Sequence, residues 1–452
     1  LKRKIKYNNS VSWYLVSLAA GILVGFRVAV PPQLLAVPYL MLSGVLVYYA
    51  FQGNIKMVFA IVPYFIYTEI FMRAYVTAIP YLFLQYLFIA IFGILILRKG
   101  NRLKMHSRTF VFLTLFMLIE LINSKRSETP DIARALVIND LALVVMVMWG
   151  CCNFISPALA NHILKHVKYA GVYLCGIILA RYLFTGSFGE IHFSSYSASE
   201  ATNGLAPVQL SGYLGFSSSI FFFSIMDDQE RKDILVNTAC FALSTVLMLL
   251  SFSRGGLYFL GIMMVLYFLF NRDKAKSYSL LLLLIPIGIF IYYYVTSTTG
   301  GLIADRYEQG GTSGRDRLIA AGWELFKMNP LAGIGTANFN NTVLETGLYE
   351  VESGAHNEFI RVMAEDGVLG IITYGFFYVL LFYEIVRRKG VQREFAIYFL
   401  VFFCLINVHN GLKLSLQPLI ITLAVATPNL MRVKKKKNVS INTEHTVGFG
   451  EN

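Results

Sequence analysis

Arg315, Arg317, His356 and Arg361 lie within residues 298–366, the one long polar segment of a chain that otherwise alternates apolar runs with short turns. Arginine suits a phosphate, because its planar fork binds two oxygens at once and keeps its charge when water is removed. A neutral imidazole can take a proton from a hydroxyl. These types point to an anionic ligand with a proton transfer beside it.

The local pattern ranks the four. Thr312, Ser313, Gly314, Arg315 and Asp316 read as a helix start, with Ser313 as N-cap and Asp316 three residues later; Pro330 stops the helix. Leu318, Ile319, Gly322, Leu325 and Phe326 form one stripe at helical spacing. Arg315 falls on that stripe, beside free amide donors of the helix start, and Arg317 falls opposite, toward water. A second short helix is expected from Ala355, with His356 sharing a face with Phe359, Ile360 and Met363, where desolvation keeps the ring neutral. The plain alternative for His356 is a packed histidine bonded to backbone. Arg361 has Glu358 and Glu365 at i−3 and i+4, so a surface ion pair accounts for it. Arg317 and Arg361 stand among the candidate ligand-binding residues with these plainer readings beside them.

The elements that must position these residues are membrane helices. Hydrophobic residues make up 56% of the 452-residue chain and charged ones 14%, far from the soluble average of roughly a quarter charged. The apolar runs are continuous, so an all-α polytopic membrane protein is expected. Fourteen spans are predicted: 11–30, 34–50, 57–78, 81–97, 110–123, 134–154, 169–186, 204–226, 233–251, 255–271, 278–296, 367–386, 393–408 and 414–431. The division is thus membrane helices 1–11 over 1–296, one long loop with short amphipathic helices over 297–366, helices 12–14 over 367–431, and a basic tail over 432–452. Threaded in order, the basic segments at Lys2 to Lys6, 98–108, Lys165 with Lys168, Arg231 with Lys232, 272–276, 387–389 and 432–437 share one side. The positive-inside rule makes that side cytoplasmic, with both termini there and 124–133, 187–203 and 297–366 outside.

On this threading Arg27, Arg73, Arg134 and Arg181 sit near the outer ends of their spans, and Arg254 lies in the outer turn between two of them. Guanidinium in hydrocarbon is costly, so five at one depth suggest a shared wet cavity holding an anion. The alternative is snorkelling plus local pairs, such as Glu69 with Arg73 at i, i+4.

Other chemistry is excluded. The net charge of +13 is spread over cytoplasmic turns and the tail, which is a topology signal and argues against nucleic acid. The tail's basic run can also touch anionic lipid head groups. Cys151, Cys152, Cys175, Cys240 and Cys404 all fall in spans, so no disulfide framework is expected, and no metal-ligand spacing appears. The first span reads as an ordinary anchor, not a cleavable signal peptide. Gly333-Ile334-Gly335 has no strand before it and reads as a turn.

Three segments resemble the superfamily of Wzy-like O-antigen polymerases and O-antigen ligases: Ser251-Phe252-Ser253-Arg254-Gly255-Gly256; Gly314-Arg315 through Asn329-Pro330-Leu331-Ala332-Gly333-Ile334-Gly335-Thr336-Ala337-Asn338-Phe339; and His356-Asn357-Glu358-Phe359 through Glu365-Asp366-Gly367-Val368-Leu369-Gly370. Their order matches the family pattern over about 251–386, while the N-terminal half is similar only in being many-spanned. The resemblance implies a polyisoprenyl-diphosphate-linked oligosaccharide as donor and a sugar hydroxyl as acceptor, joined without metal or cofactor on the outer face of the bacterial inner membrane. It implies diphosphate-binding roles for Arg254 and Arg315 and a base role for His356. Ile319 stands where many members have Trp. Expected partners are membrane lipids, a chain-length regulator and a flippase.

The absence of a paired-carboxylate signature agrees, since glycoside hydrolysis needs two carboxylates flanking one bond. Fixed cations suffice to stabilise a departing diphosphate. Arg254, Arg315 and Arg181 are expected to clamp it while His356 orients or deprotonates the acceptor. Fourteen spans fit a polymerase of O-antigen or capsule better than a ligase. A polysaccharide-lipid flippase is the alternative from another class, but it would show a repeat between halves and polar residues near the midplane.

Overall fold

The computed structural model describes residues 11–26, 31–76, 78–100, 105, 107–184, 202, 204–227, 230–251, 253–271, 293, 314–409 and 414–426. Arg27, the predicted span 278–296 apart from Tyr293, the loop segment 297–313 with Ser313, and the basic tail lie outside the described residues. Fifteen α-helices and no strand occur among the described residues. They are α1 (Val11–Gly25), α2 (Pro32–Gln52), α3 (Ile55–Tyr75), α4 (Phe83–Leu97), α5 (Thr109–Asn123), α6 (Pro130–Cys152), α7 (Pro157–Phe184), α8 (Pro207–Asp227), α9 (Arg231–Leu250), α10 (Gly255–Phe270), α11 (Arg315–Met328), α12 (Phe339–Glu345), α13 (Glu358–Val386), α14 (Val391–His409) and α15 (Leu416–Ala426).

Local chemistry sets many of the boundaries. Four helices begin on proline, at Pro32, Pro130, Pro157 and Pro207, where its missing N–H costs nothing and its fixed φ suits the first turn. Asn54 caps α3 by accepting from the Met57 N–H, and Asn357 caps α13 by accepting from the Phe359 and Ile360 N–H groups. Between α9 and α10 the chain breaks at Ser251 to Arg254, so 233–271 is two helices, as predicted.

Seven helices, α2, α3, α6, α7, α8, α9 and α13, are long and apolar enough to cross a membrane. With the composition, they make this an integral membrane protein. α1, α4, α10 and α15 are apolar but shorter. A 15-residue helix such as α4 rises about 22 Å, less than a bilayer core near 30 Å. Among the described residues, seven of the fourteen predicted crossings are matched by helices of sufficient length and apolar composition.

The membrane helices share one large apolar core, while Leu318, Ala321, Leu325, Phe339, Val343, Ala355 and Ala364 form a separate small core outside it. That second core is the amphipathic loop expected from the sequence, with one change of face: Ile319 is 43% exposed, and Ala321 takes its place inside. The loop is fixed to the bundle at a break in α13. Gly367 has φ 62 and ψ −154, which interrupts the helical ladder. The freed groups find partners in the turn before α12: Ile334 N–H donates to the Ala364 carbonyl, Gly335 N–H to Glu365, and Val368 N–H donates to Pro330. A Cβ on Gly333, itself at φ 68, would lie 2.2 Å from the Glu365 backbone, so only glycine fits. We refer to this end of the bundle as the loop side.

Candidate functional site

On the loop side, His409, the last residue of α14, stands among three of the residues singled out by sequence. Arg315 Nη1 donates to His409 Nδ1 at 2.6 Å, and Arg254 and His356 lie close enough to act on the charge of the ring. Guanidinium has no acceptor. The bond therefore requires an unprotonated Nδ1, so the imidazole is neutral with its proton on Nε2. Nε2 is buried and has no hydrogen-bond partner among the described residues.

The Ser-Arg-Gly-Gly segment makes this assembly possible. A Cβ on Gly255 would lie 2.0 Å from His409 Nε2, and one on Gly256 would lie 2.2 Å from the Ser211 carbonyl oxygen. Ser211 Oγ donates to the Ser253 carbonyl and accepts from the Gly256 N–H. The two glycines thus let α8 and the ring of His409 reach the first turn of α10, whose N-cap residue is Arg254. Phe259, one turn on, meets the His409 ring edge to face at 5.5 Å. The segment's small residues pack, and its arginine stands beside the His409 ring.

Arg315 begins α11, with Gly314 at the N-cap in the left-handed conformation and no side-chain capping bond. This replaces the capping-box start expected at Ser313. His356 also differs from expectation. Asn357 occupies the cap of α13, so His356 precedes the helix at φ 48 and is exposed, not on the apolar face with Phe359 and Ile360.

The other arginines separate into three environments. Arg73 pairs with Glu69 at 2.6 Å, the local i, i+4 pair considered above, and donates to the Tyr81 hydroxyl at 3.0 Å. Glu69 is buried and also accepts from Gln85, Tyr213 and the backbone and side chain of Ser415, which ties α4, α8 and α15 together. Arg181 lies over the Tyr75 ring at 4.5 Å, a cation–π contact. Tyr213 bridges the two regions: its hydroxyl holds Glu69, and with Gln209, Phe259, Gln417 and His409 it lines a cavity.

Arg134 and Arg317 are not brought to this cavity. Arg134 pairs with Asp131 at 3.5 Å and Arg317 with Glu350 at 3.6 Å, both with side chains about two thirds exposed, in solvated pairs of little energetic weight. The expected five-arginine ring thus holds Arg73 and Arg181 against tyrosines and Arg254 beside His409, with Arg134 outside.

Arg361 is not in the surface pair expected of it. It is buried and donates to Glu358 and Glu365, as the spacing suggested, and to Glu120 of α5, which the spacing could not show. Neighbouring Asp366 accepts from Asn123, which also holds the Ala332 carbonyl. Thr336 donates to the Glu120 carbonyl and Asn338 to the Arg126 carbonyl. Two of the three resembling segments are therefore chiefly architectural.

His409 and Glu120 were missed from sequence. Each carries a signal in retrospect: a histidine at the end of an apolar run, level with the outer arginines, and a single acid within an apolar helix.

Residues 239–375 match the family model Wzy_C, described as O-antigen ligase. The matched segment contains Arg254, Arg315 and His356 but ends before His409, and it covers less than a third of the chain. No curated protein matches.

Proposed function

We propose that the chain is a metal-independent glycosyltransferase of the O-antigen ligase superfamily, acting on the outer face of the plasma membrane. The donor is a polyisoprenyl-diphosphate-linked glycan. The observation that carries this reading is the meeting of Arg254, Arg315, His356 and a neutral His409 at one end of the bundle. Two guanidiniums with a histidine N–H suit a diphosphate, and one exposed imidazole beside them suits an incoming hydroxyl.

In the proposed step the acceptor hydroxyl oxygen attacks the anomeric carbon of the donor. The bond from that carbon to the diphosphate oxygen breaks, and the diphosphate leaves with the electron pair, its added charge met by Arg254 and Arg315. His356 takes the hydroxyl proton and returns it to water. Because His356 is exposed, water can partly replace it, so His356→Ala is expected to lower transfer by about 10²-fold, the lower end for a general base. Full glycan synthesis by that variant at normal protein level would remove His356 from the role.

The acceptor we assign is a second carrier-linked repeat, which makes the enzyme a polymerase of O-antigen or capsule, supported by the resemblance read from sequence. Transfer of finished glycan to a different acceptor is the second reading, favoured by the family match. The surface glycan of a strain lacking this chain separates them: single repeats on the acceptor mean polymerase, none means ligase, and failure of the lipid-linked repeat to reach the outer leaflet means a flippase and overturns both.

A further inference from the structure

The contact between Arg315 and His409 joins the first residue of the loop helix to the last residue of a membrane helix, across 94 positions of sequence. Two features make it more than packing. The 2.6 Å bond runs into a ring that must be neutral, although Arg315, Arg254 and His356 all place positive or protonatable groups around it. The ring accepts the guanidinium through Nδ1, which a protonated ring could not do, since both of its nitrogens would then be donors beside a cation. The ring is also seated tightly, with Gly255 leaving room for its Nε2 edge and Phe259 meeting its face.

We infer that His409 is a positioning residue for the transfer reaction: its Nδ1 fixes the guanidinium of Arg315 beside Arg254, so that the anion site is assembled before the donor arrives. The inference rests on the proposed glycosyl transfer. It deepens that reading with a residue outside the family match, supplied by the C-terminal helices. A donor group displaced by about 1 Å can cost about 10²-fold in rate. An Arg315 side chain that loses this acceptor is expected to be displaced in that way, without leaving the site altogether.

The test compares variants that separate ring from acceptor. His409→Phe keeps an aromatic ring against Phe259 and Gly255 but removes the acceptor nitrogen; His409→Asn loses the ring but keeps an oxygen close to the place of Nδ1. Transfer is measured in membranes carrying equal amounts of each protein, with the lipid-linked repeat that accumulates in the deletion strain as substrate. His409→Phe is expected to lose about 30-fold, within the cost of a misplaced group, and His409→Asn to recover most of that loss. The double variant Arg315→Ala/His409→Phe is expected to be no slower than Arg315→Ala alone, the non-additivity of two residues acting as a unit. If His409→Phe does not accumulate, His409→Gln, whose amide reaches past Nδ1, is expected to fall with the phenylalanine variant.

Wild-type transfer by His409→Phe overturns the inference, as does equal loss in the asparagine and phenylalanine variants, or a double variant slower by the product of the two single losses. Undiminished transfer by Arg315→Ala overturns instead the proposed function of the site, and is recognised as such because it appears before His409 is altered.

Discussion

Arg315→Ala should lower glycan transfer by about 10³-fold while leaving the amount of folded protein unchanged, which corresponds to about 4 kcal/mol of transition-state stabilisation. The kinetic half follows from charge. A diphosphate leaving group gains negative charge as the glycosidic bond breaks, and a guanidinium held in a site walled by protein opposes that charge more strongly than water does. Arg254 remains in the variant, which is why the loss is not total. The stability half follows from placement. Arg315 is only partly buried, and its helix is held by Leu318, Ala321 and Leu325 in the small outer core, none of which depends on it. Arg315→Lys should fall between, because an ammonium keeps the charge and loses the planar fork. Arg317→Ala, two positions along and paired with Glu350 in water, should stay within about 2-fold of wild type. Surface glycan of normal length and amount from Arg315→Ala would end the assignment.

Arg361→Ala should produce the opposite phenotype: little protein, but normal transfer per folded molecule. Its guanidinium is shared by the carboxylates of Glu120, Glu358 and Glu365, all buried. Removing it strands three acids in a poorly solvated place, and breaking a buried ion pair this way costs about 3–5 kcal/mol. That is a large part of the roughly 5–15 kcal/mol that holds a typical domain together. Arg361→Lys should not rescue, since one ammonium cannot span carboxylates that approach from two helices and occupy all three nitrogens. Replacing the three glutamates by glutamine alongside Arg361→Met should restore part of the loss, because the uncompensated charges are then gone. Thermal unfolding in detergent and the level of protein in membranes report the effect. A variant of normal stability with abolished transfer would return Arg361 to the ligand-binding set.

The sequence carried the helices further than the site. Continuous apolar runs bounded by proline, glycine and charge locate helices wherever burial in lipid demands that the backbone satisfy itself. The break between α9 and α10 was legible because Ser251 to Arg254 interrupts an otherwise unbroken apolar run. Helix length was less so, as 15 residues of α4 read as a span by composition yet fall short by rise. Within the loop, the start of α13 was misplaced by a few residues because Asn357, a strong capping residue, was passed over in favour of Ala355. That small shift moved His356 from an apolar face to solvent. Pairs close in sequence were readable, as with Glu69 and Arg73 or Arg361 with its two glutamates on α13. The decisive contacts were not: Glu120 meets Arg361 across 241 positions, and local periodicity holds no record of such a pairing.

The turn around Gly333 bears on how this protein can be taken apart and recombined. Its backbone is stitched on one side to the break in α13 and on the other to the short link between α5 and α6, through Asn123, Arg126, Glu128 and Thr129. A chimaera that exchanges residues 314–366 alone for those of a relative sets a foreign turn against all four of these residues. The unit of exchange is therefore discontinuous: 120–129 must travel with the loop, together with the residue opposite Arg315 at position 409. For the same reason, substitutions accepted during divergence at 332–338 are constrained by what stands at 123–129, two stretches some two hundred residues apart.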